Sequence, residues 1–489
     1  MSVNGEVMFS KLKKYSLEEL LIFISEYSRG LFNNNETIRC IDLFINRGKY
    51  RIQHKMIIST WDLVDLSYYA VKNTSDYREK NISLNNFYEL VNEYRGFSEK
   101  KDIKLDSIEK DKMSFYIMYV LSQKQFWYQE TYNNIELFNR NIDILINIQK
   151  VVDSRIDIDE VVMDEIGISK DKYINISLLL FGIGLKNSEI SKNLFGKENL
   201  QLINCNKEEI YKFLNYYSSN YEEIRKSALK ENHFLVKPIV KTNSGKYIIV
   251  NTFLLLRLLS DGLYWVVRNY YFNKKSSIFV NEFGIYFEKY VEQLFKECLV
   301  EGTFNKIDES GIEKKADWKI ETEEYILLIE QKSILASIML KRQYPDLNLL
   351  LNYIYKYEEA FEQLNSSENR LLNQEKINKP ILKLVLFYDS LYNTETVKDE
   401  IVKKRGNLKQ DENTYFISIR ELEILVYLLK NNPNDFKIVM NEKLKREKEN
   451  SNDGKGFDII LRDLNLNKND YINKYKNNFN RYIELLRPN

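Results

Sequence analysis

Five apolar residues in succession, Tyr325-Ile326-Leu327-Leu328-Ile329, run directly into Glu330-Gln331-Lys332. An unbroken run of this kind is the pattern of a strand covered on both faces, not of one that alternates between core and solvent. In a strand residues i and i+2 share a face, so Glu330 and Lys332 project together while Gln331 points away. Charges entering a strand covered on both faces must be paired or metal-bound, because an isolated buried ion is too costly to keep. Asp317 lies on the preceding segment. A carboxylate on each of two adjacent strands can clamp a hard divalent cation such as Mg²⁺, and a lysine beside them can position or help deprotonate a water.

The rest of the chain limits the alternatives. Its 489 residues exceed one ordinary core and predict at least two domains. Hydrophobic residues make up 44% and charged residues 29%, as in a folded soluble protein, but the formal net charge is only +1. Any nucleic-acid surface must therefore be local. His54 and His233 are the only histidines and have no metal-ligand spacing, which argues against chemistry built on paired histidines. Cys40, Cys205 and Cys298 form no CxxC pair, and their odd number argues against a zinc ribbon and a disulfide framework. A reducing cytoplasm fits that usage. Residues Met1 to Ser16 lack the apolar core of a signal peptide, and no run approaches the roughly 18 apolar residues of a membrane span, so no membrane partner is expected.

From about Phe9 to Lys230 the spacing of apolar residues is mostly helical. Ser16 reads as an N-cap with Glu19 closing a capping box. Further helices are expected near Thr60 to Val71, Ser83 to Tyr94, Ser107 to Gln123, Asn133 to Val152 and Lys207 to Lys230. Gly182-Ile183-Gly184 lacks the third glycine of a dinucleotide-binding loop and reads as a helix end. Asn187 to Phe195 permits a helix-turn-helix, a pairing also common without nucleic acid. Near residue 235 the period changes, and Phe234 to Val240 and Lys246 to Val250 form a hairpin through Asn243-Ser244-Gly245. A helix from Phe253 to Tyr271 follows. The polar stretch Asn273 to Ser277 is the preferred boundary, and Lys443 to Asp453 reads as a flexible surface segment.

Beyond that boundary come a helix (Asn281 to Cys298), a strand containing Asp317, the strand ending in Glu330-Gln331-Lys332, a helix (Leu347 to Leu364) and a strand (Ile381 to Tyr388). This order, with its charged positions, resembles the PD-(D/E)xK nuclease superfamily, the restriction-endonuclease-like fold, over residues 280–395. The resemblance implies metal ligation by Asp317 and Glu330, water positioning or charge stabilisation by Lys332, and a metal or water-network role for Glu288 on the first helix. It also implies Mg²⁺, or Mn²⁺ in its place, as cofactor and DNA as substrate. Gln363 occupies a position where some members carry an accessory glutamine.

The expected architecture is multidomain α+β. An N-terminal helical sensor or assembly region (1–233) leads through a β-hairpin and connecting helix (234–276) to the nuclease domain (277–440), an α/β unit with a mixed central sheet flanked by helices. A C-terminal helical extension (441–489) completes the chain. Two details depart from the family pattern. Asp317 follows Ala316 where a proline is usual, and Pro345-Asp346, a literal PD pair, lies after the signature and reads as a turn or helix start. Glu99-Lys100-Lys101 and Glu313-Lys314-Lys315 also spell ExK, but neither follows an apolar strand.

The bland alternative is that Glu330 and Lys332 are an exposed cross-strand charge set and Glu288 a solvated helix residue. The five apolar residues before Glu330 favour the chemical reading. Substrate grip is expected from Lys341-Arg342, Lys403-Lys404-Arg405 or Lys443-Leu444-Lys445-Arg446, each of which also looks like ordinary surface. The leading expectation is a deoxyribonuclease in bacterial defence against phage or foreign DNA, with a protein partner or trigger acting through the helical half and two copies as a natural way to cut both strands. A non-catalytic binding module on the same fold, or a repair or transposition nuclease, are the competing readings. No GxxxxGK[ST] loop occurs, so an ATPase would be a separate partner.

Overall fold

A computed structural model of the chain describes residues 3–47, 50–101, 108–129, 131–191, 196–227, 232–307, 315–336, 340, 346–374, 377–388, 391, 393–449 and 454–485. The protein is mixed α+β, with eleven strands among these residues. In chain order they are β1 (Ile38–Arg47), β2 (Tyr50–Ser59), β3 (Glu189–Ile190), β4 (Ser218–Asn220), β5 (Ile239–Lys241), β6 (Tyr247–Ile249), β7 (Phe304–Lys306), β8 (Trp318–Glu321), β9 (Ile326–Lys332), β10 (Ile381–Phe387) and β11 (Thr414–Ser418). They form three sheets, and the one that matters for chemistry is five-stranded in the order β11-β10-β9-β8-β7. It is mixed: β7, β8 and β9 pair antiparallel, while β9, β10 and β11 pair parallel.

This sheet is covered on both faces, as the unbroken apolar run requires. Trp318, Ile320, Leu327, Ile329, Leu382, Leu384, Leu386, Tyr415 and Ile417 contribute one face to a core shared with the helices Ile278–Cys298 and Ile419–Asn431. Ile326, Leu328, Ile381, Val385, Phe387 and Phe416 turn the other way, into a second core with the helices Leu347–Ile354, Glu358–Gln374 and Thr394–Arg405. The period of two in the strands thus sorts side chains into two different cores. Phe115, Tyr116, Tyr119 and Val120, on the helix Lys110–Gln129, join the second core and tie the N-terminal half to this sheet.

The N-terminal half is not purely helical. Its third core packs the helix Leu17–Asn33 and neighbouring helices against the four-stranded sheet β3-β6-β5-β4 and the base of the β1–β2 ribbon. The expected helix over Lys207 to Lys230 is broken in two by β4, because Ser218 to Asn220 pair in parallel with Ile239 to Lys241. Ser16 does cap its helix through the Glu19 N–H (3.4 Å), but the box stays open: the Ser16 N–H donates to the Lys80 carbonyl instead (2.9 Å). Phe234 belongs to a single 3₁₀ turn, His233–Leu235, and the hairpin strands are the shorter β5 and β6. Gly182-Ile183-Gly184 ends the helix Lys170–Gly184; a Cβ on Gly184 would lie 2.7 Å from Leu255, so glycine permits that close packing.

Lys443 overturns another expectation. The helix Pro433–Glu447 carries it into the interior, fully buried, where it meets Glu395 (3.2 Å), Glu447 (2.6 Å) and the Lys455 carbonyl (2.8 Å). A lysine so enclosed is not surface. Residues 450–453 of the same segment, like 192–195 of the helix-turn-helix reading, lie outside the described residues.

A buried polar contact joins distant parts of the chain. Arg140, on the helix Thr131–Ile142, forms a two-pronged bridge to Glu423 at 2.7 Å on each prong. Tyr290 donates to Glu423 at 2.7 Å and Asn469 at 2.6 Å, so the buried carboxylate is fully satisfied. Replacing Glu423 by Ala would leave Arg140 buried without a counter-charge, and the expected loss is about 3–5 kcal/mol in urea unfolding. Arg140→Met added to Glu423→Leu should recover much of it; an unchanged urea midpoint in Glu423→Ala would show the bridge to be idle.

Candidate functional site

Strand register builds the site. The four residues Thr322 to Tyr325 turn the chain between β8 and β9, and Trp318 pairs with Ile329. That register ends there, and Asp317, just before Trp318, sits beside Glu330, just after Ile329. At Asp317 the regular ladder breaks: its N–H donates to the Ile329 carbonyl (3.0 Å) on one side, while its carbonyl accepts from the Ile307 N–H (2.9 Å) on the other. Leu328 faces the second core and strand alternation turns Glu330 the same way, while the Gln331 N–H bond and the nearness of the two carboxyls place Asp317 with it.

Asp317 is fixed by its neighbour strand, since the Gln331 N–H donates to Asp317 Oδ2 at 2.7 Å. Gln331 itself turns to the opposite face and accepts from the Trp318 indole (3.2 Å). Glu330 is 2% exposed. Its Oε1 accepts from Lys332 Nζ (2.7 Å), while its buried Oε2 has no hydrogen-bonding donor. Lys332 also donates to Gln363 Oε1 (3.0 Å), and the Gln363 amide donates in turn to the Lys315 carbonyl (3.3 Å). Gln363, an accessory candidate from sequence, thus orients the lysine.

The electrostatics follow from this crowding. Burial raises the Glu330 carboxyl to about 8; the neighbouring Asp317 charge pushes in the same direction, and Lys332 offsets only part of it. Asp317 is raised as well, chiefly by burial, with the Gln331 N–H and Lys332 pulling against the rise. Two carboxyls that share a site cannot both ionise cheaply, and here one lysine faces two acids.

Glu288 is held differently. It sits on the helix Ile278–Cys298, partly exposed, and forms an ion pair with Lys306 of β7. Its negative charge still contributes to the rise at Asp317, so it borders the pair without joining it. Among the described residues no cluster of three or more His, Cys, Asp and Glu is arranged to hold a metal. The pair Asp317 and Glu330 alone meets the donor chemistry of a hard cation: two oxygen ligands, excess negative charge, and a buried Glu330 oxygen lacking a donor.

The expected substrate contacts fall elsewhere. Lys341 and Arg342 lie outside the described residues. Lys403 pairs with Asp111 (3.1 Å), Lys404 with Glu358 (2.6 Å), and Arg405 with Asp411 (3.0 Å) and Glu362 (3.4 Å). Lys445 and Arg446 both engage Glu442. His233 meets Ser219 Oγ (2.6 Å), a structural contact. Sequence reasoning missed the Gln331 N–H and the Lys315 carbonyl, because main-chain groups leave no mark in side-chain spacing. No protein-family model, curated protein or solved structure matches the chain.

Because the folded chain holds the Glu330 proton more tightly than the unfolded chain, stability should fall as pH rises from the ordinary carboxylate range towards about 8. Glu330→Gln removes that loss. In EDTA the variant should be more stable than the parent at pH 8, by about 1–3 kcal/mol, with the gap closing near pH 4.5. Thermal unfolding across pH reads this directly, and a parent whose stability rises from pH 5 to 8 relative to the variant would contradict it.

Proposed function

We propose that the chain is a divalent-metal-dependent nuclease acting on DNA, with a restriction-endonuclease-like domain built on the β7 to β11 sheet. The observation that carries this reading is the close pair of Asp317 and Glu330 at neighbouring strand ends, with Lys332 bonded to Glu330 and one buried Glu330 oxygen lacking a donor. The helix Ile278–Cys298 is followed by three strands, β7 to β9, where two were expected, then by the helices Leu347–Ile354 and Glu358–Gln374 and by β10; β8 and β9 antiparallel with β9 and β10 parallel support the same domain assignment.

Asp317 and Glu330 would hold Mg²⁺ or Mn²⁺, with Glu288 at the margin. When bound, such an ion supplies charge neutralisation of a phosphodiester and an acidified water. The residues of the chain supply position. The Gln331 N–H locks the Asp317 carboxylate, and Gln363 holds Lys332 so that its ammonium stays beside the carboxylates. That ammonium would orient the attacking water and offset charge on the phosphate as the bond breaks. Burial under the helix Glu358–Gln374 strengthens each of these interactions by thinning the surrounding water.

Defence against foreign DNA in a bacterial cytoplasm is the setting we assign, with the N-terminal half as sensing or assembly region. Three cysteines, all free, fit a reducing compartment. Among the described residues no helix is long and apolar enough to cross a membrane.

The test is cleavage of linear, circular and single-stranded DNA and of RNA, in Mg²⁺, Mn²⁺ or EDTA. Asp317→Asn and Lys332→Ala should each lower the rate about 10²-fold or more. Cleavage that persists in EDTA or in both variants would remove the assignment. If the purified protein cuts nothing, toxicity in cells should follow the parent chain and vanish with Asp317→Asn; equal toxicity would count against the site.

A further inference from the structure

The chain enters β8 through Lys315 and Ala316, two buried residues that lie beyond the regular pairing of β8 with β9. The peptide they share is nevertheless satisfied at both ends, and by a single helix. Gln363 Nε2 donates to the Lys315 carbonyl (3.3 Å), and Ser367 Oγ accepts from the Ala316 N–H (2.8 Å). Gln363 and Ser367 are one turn apart on the helix Glu358–Gln374, so they share a face. The Lys315 carbonyl and the Ala316 N–H belong to one planar unit, and a plane gripped at both polar ends is held against rotation. Where the strand ladder stops, helix side chains take over its task.

The consequence falls on the next residue, Asp317. Its carboxylate is fixed by the Gln331 N–H, but the direction from which the chain reaches it is set by the clamped peptide. Serine is a weak helix former, and at 4% exposure Ser367 gains nothing from water. Its neighbours Ala360, Phe361 and Leu364 are apolar core. A hydroxyl kept in that company is explained by the amide it accepts from. Without it the Ala316 N–H would be buried with no acceptor, a cost that the chain can relieve by turning the peptide. Turning it would carry Asp317 away from Glu330. Gln363 ties the lysine to the same reference, because its Oε1 accepts from Lys332 Nζ (3.0 Å). One helix face thus aligns the acid of β8 and the ammonium of β9.

We infer that Ser367 is a positioning residue of the metal site: with Gln363 it clamps the Lys315–Ala316 peptide and so sets the Asp317 carboxylate beside Glu330 for a hard divalent cation. The inference rests on the metal-site reading of Asp317 and Glu330, but cation binding is separable from cleavage.

Mn²⁺ is titrated into the EDTA-stripped full chain at a temperature where every variant is folded, and free Mn²⁺ is counted by electron paramagnetic resonance. The parent should bind, and Asp317→Asn should lose most of that binding. Ser367→Ala should bind about tenfold more weakly than the parent, the usual loss when a group behind a metal ligand is removed. Amide exchange over residues 315–318, read by mass spectrometry, should quicken in the same variant. Ser177→Ala removes another buried helical hydroxyl, one that donates to the Tyr173 carbonyl (2.8 Å), and should leave Mn²⁺ affinity unchanged. If Ser367→Ala does not fold, Ser367→Cys, whose sulfur fills the place of the oxygen but accepts weakly, should show the same loss. Unchanged affinity in the Ser367 variant beside loss in Asp317→Asn overturns the inference and leaves the metal site standing. So does a weakened affinity without faster exchange at 315–318, or an equal loss in Ser177→Ala. A parent that binds no Mn²⁺, or an Asp317→Asn variant that binds as the parent does, removes the metal site and the positioning role together. Loss of affinity in Ser367→Ala in a protein that never cuts DNA upholds the clamp and defeats the nuclease reading alone.

Discussion

A carboxylate taken out of water must find either a proton or a positive charge, and the site depends on how Glu330 meets that demand. The strand that buries it is apolar for five residues because both faces of the sheet are covered, so solvent cannot satisfy the group. Lys332 answers half of the need, through Oε1. The other oxygen faces the pair with Asp317, which adds negative charge where it is least welcome. The surrounding scaffold explains why this persists: the turn at Thr322 to Tyr325 sets the register, the Gln331 N–H fixes Asp317, and Gln363 prevents Lys332 from swinging away. This unmet charge at one strand end, with rigid support around it, is what the nuclease proposal rests on.

Two cores, one on each face of the sheet, give that strand its support from opposite ends of the sequence. One face of the sheet shares a core with the helix following the Asn273 to Ser277 stretch, and the same core runs on through the helix Thr252–Asn273 before it. Tyr264 meets Phe279 and Phe283 across that stretch, with ring centroids 5.2 and 4.9 Å apart. On the other face the helix Lys110–Gln129 adds aromatic rings to the core beneath Glu330. A perturbation of the N-terminal half therefore has a packed route to the site, through side chains that already touch the same core.

How much of this was legible depended on what kind of signal each element carries. Strand β9 stands out because continuous burial writes itself as a continuous apolar run, and β10 stands out although Lys383 interrupts its run, a lysine that the fold buries against Asn365 (2.8 Å) and Glu368 (2.6 Å). The nearness of Asp317 to Glu330 is legible only as membership of neighbouring strands; which residues meet at the strand end depends on turn length and on the break in the ladder at Asp317. Asp346 is the N-cap of the helix Leu347–Ile354, as its position after Pro345 suggested. The β1–β2 ribbon was missed, although Arg47-Gly48-Lys49 is a fair turn signal, because helical spacing on either side dominated the reading. Lys443 was misread for a different reason: a charge cluster looks solvated in sequence whether its members face water or one another, and only the fold shows Glu395 and Glu447 closing around it. Strand β4 was hidden because three residues are too few to display a period.

The bridge from Arg140 to Glu423 spans 283 positions of the chain, and that separation has a temporal meaning. During synthesis the helix bearing Arg140 emerges long before its counter-charge, and Asn469, which completes the cluster, comes later still. Until then the guanidinium must remain in water, so the helix cannot settle into its final place and the core around it stays open. Closing such a loop is slow, because entropy is lost before any contact rewards it. The segment bearing Glu423 and Asn469 therefore acts as a latch: the helix Thr131–Ile142 reaches its buried place only once that segment has been made.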